Sequence, residues 1–214
     1  MVQTKFAGFR EIYLMVTLNL TLRSTLGITQ GQSTVLQIIE SSQWIYYKPV
    51  TSLADDLPIE FVIPGHGEDY LYMDLTHTML SLRIRVESER GESTSSALDV
   101  AARVGPVNHL LHFMFNQIDV YFNQILVSPS NNAYVYAYIE ALLNYASPAK
   151  TSNLTSCLWD ADIPGYMDDT LDSSNPNTAL ERHGQYIRGN RALDLIGHLY
   201  CDVFNQDKFL INGS

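Results

Sequence analysis

Positive charge is what this sequence has least of: 13 Lys and Arg stand against 23 Asp and Glu, a formal net charge of -10. Nucleic-acid binding draws on clustered Lys and Arg that displace counterions from phosphates, and no such cluster occurs, so direct contact with DNA or RNA is not expected. Cysteine is scarcer still. Cys157 and Cys201 are the only two, without CxxC spacing, so neither a disulfide framework nor a zinc motif is expected, and both read as reduced, mostly buried thiols. No apolar run reaches the roughly 18 residues that a membrane helix needs. The nearest, residues 12–22, alternates Val16, Leu18, Leu20 and Leu22 with Thr17, Asn19 and Thr21, which is strand patterning and not a signal peptide. Sequons at Asn19, Asn153 and Asn212 would matter only in the secretory pathway, where nothing else places the chain. Catalytic signatures are missing too: there is no GxSxG, no Walker loop and no GxGxxG.

What is present points to a β-rich domain. With 214 residues, 46% hydrophobic and 17% charged, the chain suits one globular domain, or a domain with an arm. The Gly, Gln, Ser and Thr of residues 27–34 read as a linker, which makes residues 1–32 a leader or arm and residues 33–214 the body. Within the body, residues 58–63 set Ile59, Phe61 and Ile63 on one face before a Pro64-Gly65 turn. Residues 70–75 alternate Leu71, Met73 and Leu75 with Tyr70, Tyr72 and Asp74, and residues 79–86 turn Leu80, Leu82, Ile84 and Val86 inward. Three separate strands are expected there, followed by a surface loop over residues 87–96.

The segment 104–150 changes period repeatedly. Val107, Leu110, Leu111 and Met114 have helical spacing, and Ile118, Val120 and Phe122 then alternate with polar residues. Asn123-Gln124 is placed to reverse the chain, residues 125–127 to return as a strand, and residues 128–132 to form a loop. A second helical stripe follows, Tyr138, Ala141, Leu142 and Tyr145, stopped by Pro148. Residues 157–177 read as irregular, and residues 192–204 as a last strand that leaves the chain in mid-pattern at Ser214.

Several polar groups invite a chemical reading. His66, Glu68 and Asp69 are ligand types within four positions, but no HxxxH or HxH spacing supports them, so they read as a turn whose carboxylates serve local N–H groups. Asp160, Asp162, Asp168, Asp169 and Asp172 suggest a calcium loop until Pro164 and Leu171 break the EF-hand pattern, leaving a solvated acidic loop. His109 and His112, one helical turn apart, read as boundary residues of an amphipathic stripe. Trp44, Tyr46 and Tyr47 read as packing on a sheet face in preference to a stacking platform. No catalytic, cofactor-binding or metal-ligating residue is assigned.

Taken together, SQWIYYKPVTSL, PIEFVIPGHGEDYLYMDLTHTMLSLRIRV, VGPVNHLLHFMFNQIDVYFNQILVSPSNNAYVYAYIEALLNY and ALDLIGHLYCDVFNQDKFLING resemble the major capsid proteins of Polinton (Maverick) virus-like transposons and adintoviruses. The resemblance runs from about Ser33 to Gly213 in the same order and with similar spacing. It implies a mainly β jelly-roll sandwich with short helical insertions, the first half of a double jelly roll, truncated at the C-terminus. It also implies a non-enzymatic subunit without cofactors that self-associates into homotrimers and an icosahedral shell. Its other partners would be penton or minor capsid proteins, not nucleic acid or membrane, and it would reside in the virion or otherwise inside the host cell. Residues 1–27 do not share the resemblance. Two other readings stand beside it: a lectin-like sandwich using residues 44–47 or the acidic loop, and a hydrolase built on His66 or His183.

Overall fold

The computed structural model describes residues 4–29, 32–53, 58–65, 71–90, 94–97, 104–171, 174, 177–206 and 210–211. The strands in chain order are β1 (Thr4–Thr29), β2 (Gln32–Tyr47), β3 (Leu71–Arg90), β4 (Thr94–Ala97), β5 (Gln117–Phe122), β6 (Ile125–Asn131), β7 (Ala192–His198) and β8 (Leu210–Ile211). The helices are α1 (Leu110–Phe113), α2 (Ala133–Asn144), α3 (Ser147–Lys150) and α4 (Thr178–Ile187), with 3-10 turns at Asn153–Cys157 and Arg188–Asn190. All strand pairs are antiparallel. The main sheet runs β2-β1-β3, and the far side of β3 is shared along its length by β8, β7 and β4. A separate hairpin pairs β5 with β6.

β3 holds the sheet together because it changes parity midway. Leu71, Met73 and Leu75 are odd-numbered, whereas Leu80, Leu82, Ile84 and Val86 are even-numbered. Between the pairs Met15–Met79 and Thr17–Asp74, β1 advances by two residues and β3 by five. The three surplus residues form a bulge, and because three is odd they flip the side-chain alternation. Met73, Leu75, Leu80, Leu82 and Ile84 therefore all reach one core, together with Ile12, Leu14 and Val16 of β1 and Leu195 of β7.

The bulge is held by Asp74. Its Oδ1 accepts from the Thr76 backbone N–H at 3.1 Å and from the Thr76 hydroxyl at 2.6 Å, and its Oδ2 accepts from His77 Nδ1 at 2.7 Å. Burial alone would raise the Asp74 pKa, but the hydrogen bonds from Thr76 and His77 outweigh it and hold the carboxyl below its ordinary range.

The core face is closed by α1, the 153–157 turn, Val120 and Phe122 of β5, and a strap made by residues 50–53 and 58–65 carrying Leu53, Ile59, Phe61 and Ile63. A smaller cluster joins Val86 to Ile187 of α4, and another sets Ala141 of α2 against Leu154 and Trp159.

Several expectations change. Of the expected linker, residues 27–29 belong to β1 and residues 32–34 to β2, and the segment 1–32, expected as a leader, supplies a strand that pairs on both sides and core residues Ile12, Leu14 and Val16. The strands expected at 70–75 and 79–86 are one strand, because the bulge keeps both halves in the same ladder. Residues 58–63 alternate in exposure but form no strand. Period two belongs to any extended chain packed on one side, and this strap is tied back to its own preceding segment by Val50 N–H to Glu60 O and by Thr51 Oγ1 to Pro58 O. The loop expected at 87–96 is largely the β3–β4 ladder.

Asn123 and Gln124 both adopt positive φ, 47° and 68°, and form the expected reversal. The loop expected at 128–132 is mostly strand, since β6 pairs as far as Asn131. The first helix is one turn long, with Val107 exposed, and the strand expected at 192–204 stops at His198. Helix α4 lies between the stretch expected to be irregular and the strand expected at 192–204, where no element was expected. Asn177 caps it by accepting from Ala179 N–H, and Ala179, His183 and Ile187 recur on its buried side.

Asp74→Ala is expected to lower stability by about 1–3 kcal/mol at neutral pH, read from urea unfolding. The native Asp74 pKa lies below the unfolded value of about 3.9, so its contribution is complete above that pH and is lost as pH falls through the native value. The gap between wild type and variant should therefore narrow as pH falls below about 3.9.

Candidate functional site

Leu110 and Leu111, each 1% exposed, draw the single turn of α1 into the core and take His109 and His112 with them. His109 precedes the helix in a left-handed conformation, φ 61° and ψ 41°, and its N–H donates to Leu158 O at 3.0 Å. Leu158 is left-handed as well, with φ 62°, and directly follows Cys157 at the end of the 153–157 turn. Left-handed non-glycine residues are strained and persist where surrounding structure enforces them. One backbone hydrogen bond thus clasps two strained segments, and it brings His109 and His112 onto Cys157.

β7 supplies the third wall. His112 Nε2 donates to His198 O at 2.7 Å, Ser156 Oγ donates to Ile196 O at 2.8 Å, and the Cys157 thiol donates to the same carbonyl at 3.3 Å. Gly197 lies between those two carbonyls. A Cβ there would overlap Cys157 Sγ and come within 2.8 Å of Leu111 Cδ2, so only glycine lets β7 approach. The His109 and His112 rings are 4.1 Å apart between centroids, with Trp159 edge-on to His109 and Tyr200 edge-on to both.

His109, His112 and Cys157 are all buried, and one donor atom from each lies within 4.8 Å of the others. Because His112 Nε2 carries the proton given to His198 O, its Nδ1 holds a free lone pair. Among the described residues neither ring nitrogen of His109 has a hydrogen-bond partner. Burial, with His112 alongside, pushes the His109 pKa down to about 3, and burial pushes His112 down to about 4 and the Cys157 thiol up to about 12. At neutral pH the cluster is therefore two neutral imidazoles and a protonated thiol. Such a set is a poor acid–base pair but a competent group of soft and borderline donors.

The two histidines were expected at the boundary of a stripe and instead lie in the core. Their spacing was visible in the sequence, but Cys157 is too far along the chain for any motif to join it to them.

Other candidates disperse. His66, Glu68, Asp69 and Asp172 lie outside the described residues. Asp162 accepts from Asn108 and Asn177 at 3.0 and 2.9 Å, and Asp160 pairs with Arg182 at 3.2 Å, so these carboxylates brace their own loop. His183 is buried, gives Nδ1–H to Pro106 O, and holds Nε2 3.9 Å from Asp160, beyond hydrogen-bond reach. Of the aromatics in β2, Tyr47 packs on the core, whereas Trp44 and Tyr46 are exposed on the other face. No helix among the described residues is long and apolar enough to cross a membrane.

Compared with known proteins, the chain matches no family model, no curated protein and no solved structure. What the fold defines is a class: an antiparallel β-sheet protein with a few short helices.

Gly197→Ala is expected to cost about 1–3 kcal/mol through overpacking against Cys157 and Leu111. Thermal unfolding would register this as a lower Tm, and the double variant Gly197→Ala/Cys157→Ala should recover part of the loss.

Proposed function

We propose that this protein is a structural subunit of the viral-capsid type that acts by self-association, with the sheet and the β5–β6 hairpin belonging to a jelly-roll sandwich. The observation that carries this reading is helix α2. It buries only its small residues, Ala133, Ala137 and Ala141, and presents large apolar ones to the outside: Val135, Tyr136, Ile139, Leu142 and Leu143 are between 37% and 77% exposed. Glu140 is its only charged residue.

A helix apolar on every side is one that ends up covered, whereas a monomer's surface helix carries its charge outward. The neighbouring hairpin continues the pattern with exposed Tyr121, Ile125, Leu126 and Val127. Large exposed apolar area rimmed by polar residues marks a protein–protein contact. A chain of net charge -10 would suit contact with copies of itself only if apolar burial outweighs the repulsion. The resemblance to transposon and adintovirus capsid proteins supports the same reading, with further copies as the main partner, penton or minor capsid proteins as others, and the virion as the location.

Light scattering coupled to size-exclusion chromatography should find trimers or larger species at micromolar concentration. Ile139→Glu and Leu143→Glu should shift the population toward monomer while leaving Tm and far-UV circular dichroism unchanged. A wild-type protein that stays monomeric at high concentration would refute the proposal.

A further inference from the structure

We propose that His109, His112 and Cys157 form a buried binding site for one thiophilic d10 metal ion. This inference is independent of the capsid reading.

The donors come from two segments far apart in sequence and are locked together by backbone: His109 N–H to Leu158 O, and the β7 carbonyls of Ile196 and His198 receiving Cys157 and His112. A ligating histidine is normally held by a hydrogen bond from its other nitrogen to a carbonyl or carboxylate, which fixes the tautomer and aims the free lone pair. His112 has that arrangement, with Nε2 on His198 O and Nδ1 unpartnered among the described residues. His109 supplies the second observation. It is 0% exposed, and both its ring nitrogens are without a partner among the described residues, although a donor atom of its ring faces the other two. A buried imidazole left in this condition is costly unless something accepts its lone pair.

The donor chemistry selects the ion. Thiolate and imidazole without carboxylate suit Cu(I) and Zn(II), not Ca²⁺ or Mg²⁺. On binding, the Cys157 S–H bond breaks, an S–metal bond forms and the proton leaves to solvent; no electron is transferred. Two neutral imidazoles and one thiolate then balance a single positive charge, so Cu(I) gives a neutral centre in this apolar interior. Zn(II) would leave a net positive charge and call for a fourth ligand. Bonds of about 2.0 Å to nitrogen and 2.3 Å to sulfur require the cluster to contract on loading. A small cavity whose lining includes Leu111, His112, Phe115, Ala137 and Tyr200 borders His112.

The test is competition on the reduced full chain under anaerobic conditions, with Cu(I) against bicinchoninate and Zn(II) against a chromophoric chelator in separate arms. One equivalent of Cu(I), or of Zn(II), should be withheld from the chelator, with a rise in Tm. Cys157→Ser should weaken retention at least tenfold, whereas Cys201→Ser, outside the cluster, should keep it. Should Cys157→Ser fail to fold, X-ray absorption on the loaded wild type decides, one sulfur and two imidazole nitrogens being expected. No retained ion, retention indifferent to Cys157→Ser, or a sulfur-free shell would overturn the proposal.

Discussion

The pairing of β3 with β1, and the odd-numbered bulge within it, is the constraint on which the other elements depend. A long strand buried on one face must keep a single parity, or half its apolar residues point the wrong way. Here the parity fails between Leu75 and Leu80, and the Asp74–Thr76–His77 hydrogen bonds absorb the failure. The far edge of β3 then sets β7 in register from Met79–His198 to Arg85–Ala192. His198 pairs with Met79 at the edge of the bulge, and the carbonyl of the same residue receives His112. The bulge and the buried cluster are consequently two ends of one connected arrangement.

The molecule handles its apolar residues in two opposite ways. Around His109, His112 and Cys157 it gathers polar atoms into the buried interior, with Gly197 letting β7 pack closely against them. On α2 and the β5–β6 hairpin it leaves large apolar side chains outside and packs alanines beneath. The first arrangement stabilises an interior only if the lone pairs find a partner, and the second stabilises a surface only if another surface covers it. Both follow from burial, and neither requires the other.

Much of the local structure was legible in the sequence. The strand over residues 12–22, the inward set Leu80 to Val86, the strand Ile118 to Phe122 and the Asn123-Gln124 reversal all rest on short-range periodicity or on φ preference, and the structure keeps them. The errors came where pattern and partner part company. Residues 58–63 alternate without a ladder, Leu142 fits a helical stripe yet faces outward, and residues 27–29 and 32–34 have linker composition yet lie in paired strands. Helix α4 escaped notice because its buried positions are Ala179, His183, Gly184 and Ile187, of which only Ile187 is strongly apolar.

By itself, then, the sequence determined that the chain is acidic, sheet-rich, poor in cysteine and without a recognisable catalytic spacing, since these depend on composition and on residues a few positions apart. Only the tertiary structure decided that β3 is one strand, that β1 is interior to the sheet, that α2 shows its large side chains outward, and that His109 and His112 meet Cys157. Those facts depend on contacts between residues dozens of positions apart. Such contacts are set by which strand edge is free and which face is already covered, and no local pattern carries that information.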